Sequence, residues 1–264
     1  MILAQHVRVA LGGRPVLRGV SFAVPAGCVA GYVGPNGAGK TTTMRLLTGA
    51  LRPDAGRVVV AGVDVSADPL AAKRRFGFVP EHGHVYESFA PAEFLAFVGR
   101  MHGLDEALLA RRTGALLRFW GLGEAARKPM TGFSKGMKQK VLLSAALLHD
   151  PPVLLLDEPL SGLDAHAVLQ VRALLRRLAA AGKTVFYSSH LLDAVERVAD
   201  HVVVLREGQV LREGSPAEIV AAAGGGDSLE DAFSRLTAAE DAAAQAEALL
   251  AEAFDAAPSD PTLL

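Results

Sequence analysis

"VPAGCVAGYVGPNGAGKTTTMRLLTG", Val24 to Gly49, contains a short apolar run, a glycine loop and a helix pattern in succession. Cys28–Val33 is apolar and bounded by glycines, which reads as a buried strand. Gly34–Thr41, "GPNGAGKT", satisfies G-x-x-x-x-G-K-[ST] completely, directly after that strand and before a helix. Such a loop turns successive backbone N–H groups inward, and the following helix adds its positive end, so an anion is held twice over. Gly34, Pro35, Asn36, Gly37, Ala38 and Gly39 would cradle phosphates, with Thr42 continuing the turn. Lys40 would reach the β- and γ-phosphates, and the Thr41 hydroxyl would give an oxygen ligand to Mg²⁺. The stretch predicts a nucleoside triphosphate site.

Outward from the loop, "VLLLD" (Val153–Asp157) and "TVFYSS" (Thr184–Ser189) are further buried strands, the second following a helical run. Strands alternating with helices predict a mainly parallel sheet covered on both faces. "VLRGVSFAV" before the loop and "GRVVVAGVDV" after it alternate with turn glycines, predicting a small antiparallel flank. "HVVVLREGQVLREG" predicts a hairpin turning at Glu207–Gly208. From about Pro91 to Asp150 the pattern is mostly helical, as for a subdomain inserted into the α/β core. "AAAGGGDS" is a break, and Ser228 onward is an Ala-rich acidic helix pattern. Asp157 ends its strand with a carboxylate suited to Mg²⁺, usually through water, and Glu158 follows, placed to orient or deprotonate an attacking water.

The 264 residues, half of them hydrophobic, suffice for one sizeable core with appendages. One cysteine, Cys28, precludes an intramolecular disulfide and suits a reducing compartment. No signal-peptide pattern is evident, and no apolar run approaches the roughly 20 residues that cross a bilayer. The net charge of -1 conceals an acidic tail from Asp227 to Leu264 and a basic body. Such a body suits nucleotides, an anionic membrane face or simple solvation.

"TGFSKGMKQKVLLSAALL" (Thr131–Leu148) admits three readings. Gly132–Gly136 matches the G-x-S-x-G of a nucleophile elbow, but that motif needs a buried strand before its serine, and "EAARKPMT" is polar with a proline. Lys135, Lys138 and Lys140 are too few, and lack the interleaved aromatics, for a nucleic-acid platform. In the third reading, Ser134 caps the helix, Gly136 admits close approach, and the free N–H groups attract a phosphate. A second, incomplete anion site beside a complete one makes sense if it serves a nucleotide bound by another copy. "EHGH" (Glu81–His84) places His82 and His84 in a loop with no further metal ligands in evidence.

"GPNGAGKTT", "FSKGMKQK", "LLLDEPLSGLD" and "SSH" occur in the order and spacing that resembles the ATP-binding cassette (ABC) transporter ATPases, over about residues 1–220. The resemblance implies an α/β fold: a P-loop ATPase core with mainly parallel sheet, antiparallel β flank and inserted helical subdomain, here about residues 82–150. Residues 221–264 would be a glycine-linked acidic helical tail. It implies Mg²⁺-dependent hydrolysis of ATP with Glu158 as base, His190 linking the γ-phosphate to Glu158, and metal ligands from Thr41 and Asp157. "FSKGMKQK" looks like the family's signature, so Ser134, Lys135, Gly136 and Met137 would face the nucleotide of the other protomer in a head-to-tail dimer. Leu160–Asp164, "LSGLD", would couple the protomers, with Asp164 at the nucleotide interface.

Lys135 and Met137 stand where the family usually has glycine and glutamine, a form similar to the branch that serves export-type permeases; "SLEDAFSRLT" resembles that branch too. Two other departures bear on the site. Leu11 occupies the position of an aromatic that stacks on adenine, which implies weaker base stacking. Glu81 stands where glutamine is usual and would serve as a catalytic and metal-facing residue. The implied partners are a second copy or a paralogous ATPase subunit and separate membrane permeases, with no direct nucleic-acid binding. The implied location is peripheral, on the cytoplasmic membrane face. A soluble clamp or assembly factor without a permease is the other functional class these residues allow.

Overall fold

A computed structural model of the chain describes residues 1–226, 228–236 and Leu249. The acidic residues of the tail beyond Leu236 lie outside the described residues.

Among the described residues, ten strands form two sheets. Strands β1 (Ile2–Leu11), β2 (Arg14–Val24), β4 (Ala55–Val60) and β5 (Val63–Asp64) make the antiparallel flank, in the order β2-β1-β4-β5. The central sheet takes β3 (Val29–Val33), β6 (Phe76–Val79), β7 (Val153–Asp157), β8 (Thr184–Ser189), β9 (His201–Arg206) and β10 (Gln209–Gly214), in the order β10-β9-β3-β8-β7-β6. All its pairings are parallel except the β9–β10 hairpin, which turns at Glu207 and Gly208, both with positive φ.

The central strands are buried on both sides, and alternate residues feed two cores. Val29, Val33, Val185, Tyr187, Val202 and Val204 face one, while Ala30, Tyr32, Phe186, Val203 and Leu205 face the other. This is the period-2 consequence of a pleated sheet with cover on each face. The second core is closed by the antiparallel flank and α1 (Lys40–Leu47), with Phe22 stacked on Phe186 at 5.6 Å between ring centroids. The first is closed by α6 (Ala165–Ala180), α7 (Leu192–Glu196) and a helical layer inserted between β6 and β7. That layer comprises α3 (Pro91–Met101), α4 (Glu106–Phe119) and α5 (Lys135–Leu147); the short α2 (Pro69–Lys73) precedes β6.

Register positions the functional ends. Val33 lies opposite Ser189, and Asp157 opposite Ser188, so β3, β7 and β8 finish side by side. Whatever follows each strand emerges on one edge, where parallel sheets of this class bind ligands.

Strand β6 is legible only in three dimensions. Its four residues include Gly77, and a Cβ there would collide with the Ala146 carbonyl of α5, so this position is small because a helix crosses it closely. After α8 (Pro216–Ala222), helix α9 (Leu229–Leu236) turns back onto the protein. Leu229 and Ala232 are fully buried in the first core, and Leu229 N donates to Glu196 Oε2 of α7 at 3.1 Å. Burying a leucine stabilises by about 1.5–3 kcal/mol. Truncation after Ala223 is therefore expected to lower Tm by about 5–10 °C relative to a chain ending at Leu236. ATP binding should persist in both; coincident melting curves would show that α9 adds no stability.

Candidate functional site

The phosphate loop leaves β3 at Gly34, where a Cβ would strike the Leu205 carbonyl of β9, so glycine is required. Gly39, at φ +110°, caps α1 in a conformation that a side chain would strain. The turn of the β9–β10 hairpin braces the loop: Gly208 N donates to Ala38 O at 3.0 Å, and Gly208 O accepts from Arg18 N at 2.8 Å. Lys40 Nζ donates to the carbonyls of Gly34 at 2.6 Å and Pro35 at 3.1 Å, which lays the ammonium along the loop. Burial lowers the Lys40 pKa, and the carboxylates of Glu158, Asp157 and Glu81 pull it back up. Three anions face one cation.

Those groups share a pocket of about 230 Å³ lined by Val16, Gly37, Gly39, Lys40, Thr41, Thr42, Glu81, Asp157 and Glu158. Asp157 is buried at the end of β7, and Ser188 Oγ donates to its Oδ1. Burial raises the Asp157 pKa, opposed by the Ser188 hydrogen bond. Glu158 then turns into the left-handed region at φ +51°, its N–H donating to Ser188 O at 3.2 Å and Ser188 Oγ at 3.3 Å. A non-glycine residue there costs on the order of 1–3 kcal/mol. The turn leaves the Glu158 carboxylate 12% exposed, with Oε1 2.9 Å from His190 Nδ1. His190, just beyond β8, is 59% exposed at its side chain.

The other candidate residues lie elsewhere. Leu11 ends β1, exposed, and does not line the phosphate pocket; Val16 of β2 does. Ser134 caps α5, accepting from Met137 N at 3.2 Å, with a 3₁₀ turn (Met130–Gly132) in place of a preceding strand. The elbow geometry of a serine nucleophile is therefore absent. None of Ser134, Lys135, Gly136 or Met137 lines the phosphate pocket of its own chain. Lys135 Nζ instead donates to Ser161 Oγ at 2.8 Å. Asp164 caps α6, accepting from Ala167 N at 2.8 Å, and Lys140 Nζ stands 3.8 Å from its carboxylate.

Sequence reading gives no role at the site to Val16 or Ser188, and reads Gly208 as a hairpin turn without its bond to the phosphate loop. Ser188 has one signal, its place two residues before His190 in a buried strand. The place of Val16 in the pocket and the bond from Gly208 to Ala38 depend on chain crossings that no local pattern records.

An oxygen-only set of Thr41, Asp157 and Glu81 suits Mg²⁺, which keeps several waters and takes substrate phosphates as ligands. Among the described residues, no three His, Cys, Asp or Glu side chains converge as a metal-holding group. Among the described residues, no helix is long and apolar enough to cross a membrane.

The family described as ABC transporter matches residues 17–161. The Nod factor export ATP-binding protein I of Ralstonia nicotianae is 36% identical over 220 residues, 83% of this chain and 68% of that protein. The daunorubicin/doxorubicin resistance ATP-binding protein DrrA of Streptomyces peucetius is 36% identical over 258 residues, 96% of this chain and 76% of that protein. A solved structure of the ATP-binding subunit of an ABC transporter superposes with a TM-score of 0.85 at 32% identity, covering 89% of this chain and 99% of that one. With the phosphate loop, the Asp157–Glu158 pair and His190 gathered at one sheet edge, the chain belongs to the ABC transporter family, as an ATP-binding and ATP-hydrolysing subunit.

Proposed function

We propose that this chain powers an exporter: two cassettes close head to tail on ATP beneath separate membrane permeases, at the cytoplasmic membrane face. The observation that carries the reading is the separation of two half-sites. Lys40, Asp157 and Glu158 share a pocket, while Ser134–Met137 lie outside it at an exposed helix start. Each half-site is completed by the other protomer. Export is the stated activity of the Nod factor relative. In this reading residues 1–220 form the nucleotide-binding domain, 82–150 its helical subdomain, and 221–264 a tail.

Within a closed site, Lys40 and the backbone N–H groups of the loop Gly34–Thr42, Pro35 having none, hold the phosphates, and Glu158 takes a proton from the attacking water. His190, whose Nδ1 lies 2.9 Å from Glu158 Oε1, holds that carboxylate in line and reaches toward the γ-phosphate. Ser134 presents the α5 N-terminus to the partner's nucleotide. Mg²⁺, held by Thr41, Asp157 and Glu81, would supply charge neutralisation on the phosphates.

Glu81 brings a charge where an amide would give a donor. Glu81→Gln is expected to keep turnover with a shallower Mg²⁺ dependence, and Glu81→Ala to impair turnover. Three superimposable Mg²⁺ titrations would remove Glu81 from the metal site.

The permease surface is assigned to the helical layer. Tyr86, Phe89 and Phe97 are exposed and in mutual ring contact, with centroids 5.6–6.4 Å apart, beside a groove of about 960 Å³. Contiguous exposed apolar surface marks an interaction site. Phe97→Asp should leave the ATP turnover of the isolated chain intact and release it from the membrane fraction of cells. Retention in the membrane fraction would remove Phe97 from the permease surface, and absence of the wild-type chain from that fraction would favour a permease-free clamp.

A further inference from the structure

Lys135 belongs to an exposed helix start, yet its amine is engaged within its own chain. Nζ donates to Ser161 Oγ at 2.8 Å. Its aliphatic stem lies over Gly162, where an added Cβ would sit 2.7 Å from Lys135 Cδ. Gly136 repeats the approach, since a Cβ there would stand 2.7 Å from Gly162 O. One turn on, buried Gln139 donates through Nε2 to Pro159 O at 3.1 Å. Lys140 adds its contact to Asp164 at 3.8 Å. Successive turns of α5 thus grip the loop 159–164.

That loop begins at the candidate base. Ser161 N donates to Glu158 O at 3.1 Å, so the hydroxyl held by Lys135 is one hydrogen bond from the Glu158 backbone. Glu158 in turn is bound to His190. A continuous set of contacts therefore runs from the Ser134 turn to the carboxylate of the same chain's pocket. In the head-to-tail arrangement these two ends serve different nucleotides.

We propose that Lys135 is a positioning residue: its bond to Ser161 locks the Ser134 turn to the Glu158 loop, so that the half-site offered to the partner moves with the chain's own catalytic carboxylate. This rests on the head-to-tail reading above. An ammonium-to-hydroxyl bond is charge-assisted, and the lysine stem adds packing over a residue with no side chain. Only a long side chain with a terminal donor meets both demands. A lysine acting as a phosphate ligand would instead have to leave Ser161.

A double-mutant cycle in steady-state MgATP turnover of the full chain tests this. K135M keeps the stem without the donor, and S161A removes the acceptor. Each is expected to lower kcat about five-fold, the scale of one hydrogen bond, with KM and Tm near wild type. K135M/S161A should lose no more than either single variant, and K135R should recover most of the K135M loss. Multiplying losses, wild-type turnover by K135M or by S161A, or a raised KM at unchanged kcat in K135M would each overturn the proposal. The head-to-tail reading fails separately, if mixed Lys40→Ala and Ser134→Arg protomers recover no activity. Recovery there beside a multiplicative cycle defeats the latch alone.

Discussion

Glu158→Gln is expected to bind ATP and scarcely hydrolyse it, with turnover down by about 10²–10⁴-fold, the usual loss on removing a general base. The reason is local. The Glu158 carboxylate is mostly buried, is pinned 2.9 Å from His190 Nδ1, and sits on a turn whose N–H is held by Ser188. An amide of the same shape preserves the His190 contact through its carbonyl oxygen but has no lone pair basic enough to accept a proton from water. The phosphate loop, built from other residues, is untouched. ATP should therefore keep the two cassettes together, and the variant should run as a dimer in size exclusion with ATP and as a smaller species without it. A variant with wild-type turnover would remove Glu158 from the reaction.

Mixing two inactive variants should restore activity. Lys40→Ala strips the phosphate loop of its ammonium, and Ser134→Arg obstructs the α5 start. Each alone is expected to lose about 10²–10³-fold, as for removal of a preorganised donor to transition-state charge. In a head-to-tail heterodimer both lesions fall in one composite site, and the other site is whole. Random pairing would then return about a quarter of wild-type turnover, since half the dimers are mixed and each has one intact site. If Ser134 served its own chain's nucleotide, every site in the mixture would carry a lesion and nothing would be recovered. The exclusion of Ser134–Met137 from their own phosphate pocket favours the first outcome.

The nucleotide site is legible in the amino-acid sequence because its chemistry is compressed into short segments. Gly34–Thr41 needs only a buried strand before it and a helix after it, and both flanks announce themselves by composition. The apolar runs ending at Asp157 and Ser189 likewise declare central strands, because a strand covered on both faces has no polar side to disguise it. The inserted helical layer is legible from its change of period.

Other features depend on which segments meet. Four-residue β6 gains its identity from pairing with β7, and the smallness of Gly77 from a helix that crosses it. Leu229, Phe233 and Leu236 read as one face of an acidic helix; in the structure Leu229 is buried in the first core together with Ala232, and Phe233 and Leu236 pack against it partly buried. The close approach of Glu158 and His190 requires β7 and β8 to align so that Asp157 lies opposite Ser188. The same register gives Ser188 its hydrogen bond to Asp157. The Gly-x-Ser-x-Gly match is an ambiguous string by itself, and the 3₁₀ turn standing where an elbow needs a strand resolves it. The phosphate loop and the strands that carry the acids are readable from the chain because propensity and hydrophobic period act over neighbouring residues. Which acids face Lys40, where the Lys135 amine is bound and which face of α9 is covered emerge in three dimensions, because these contacts join segments distant in the chain through strand register and helix crossing.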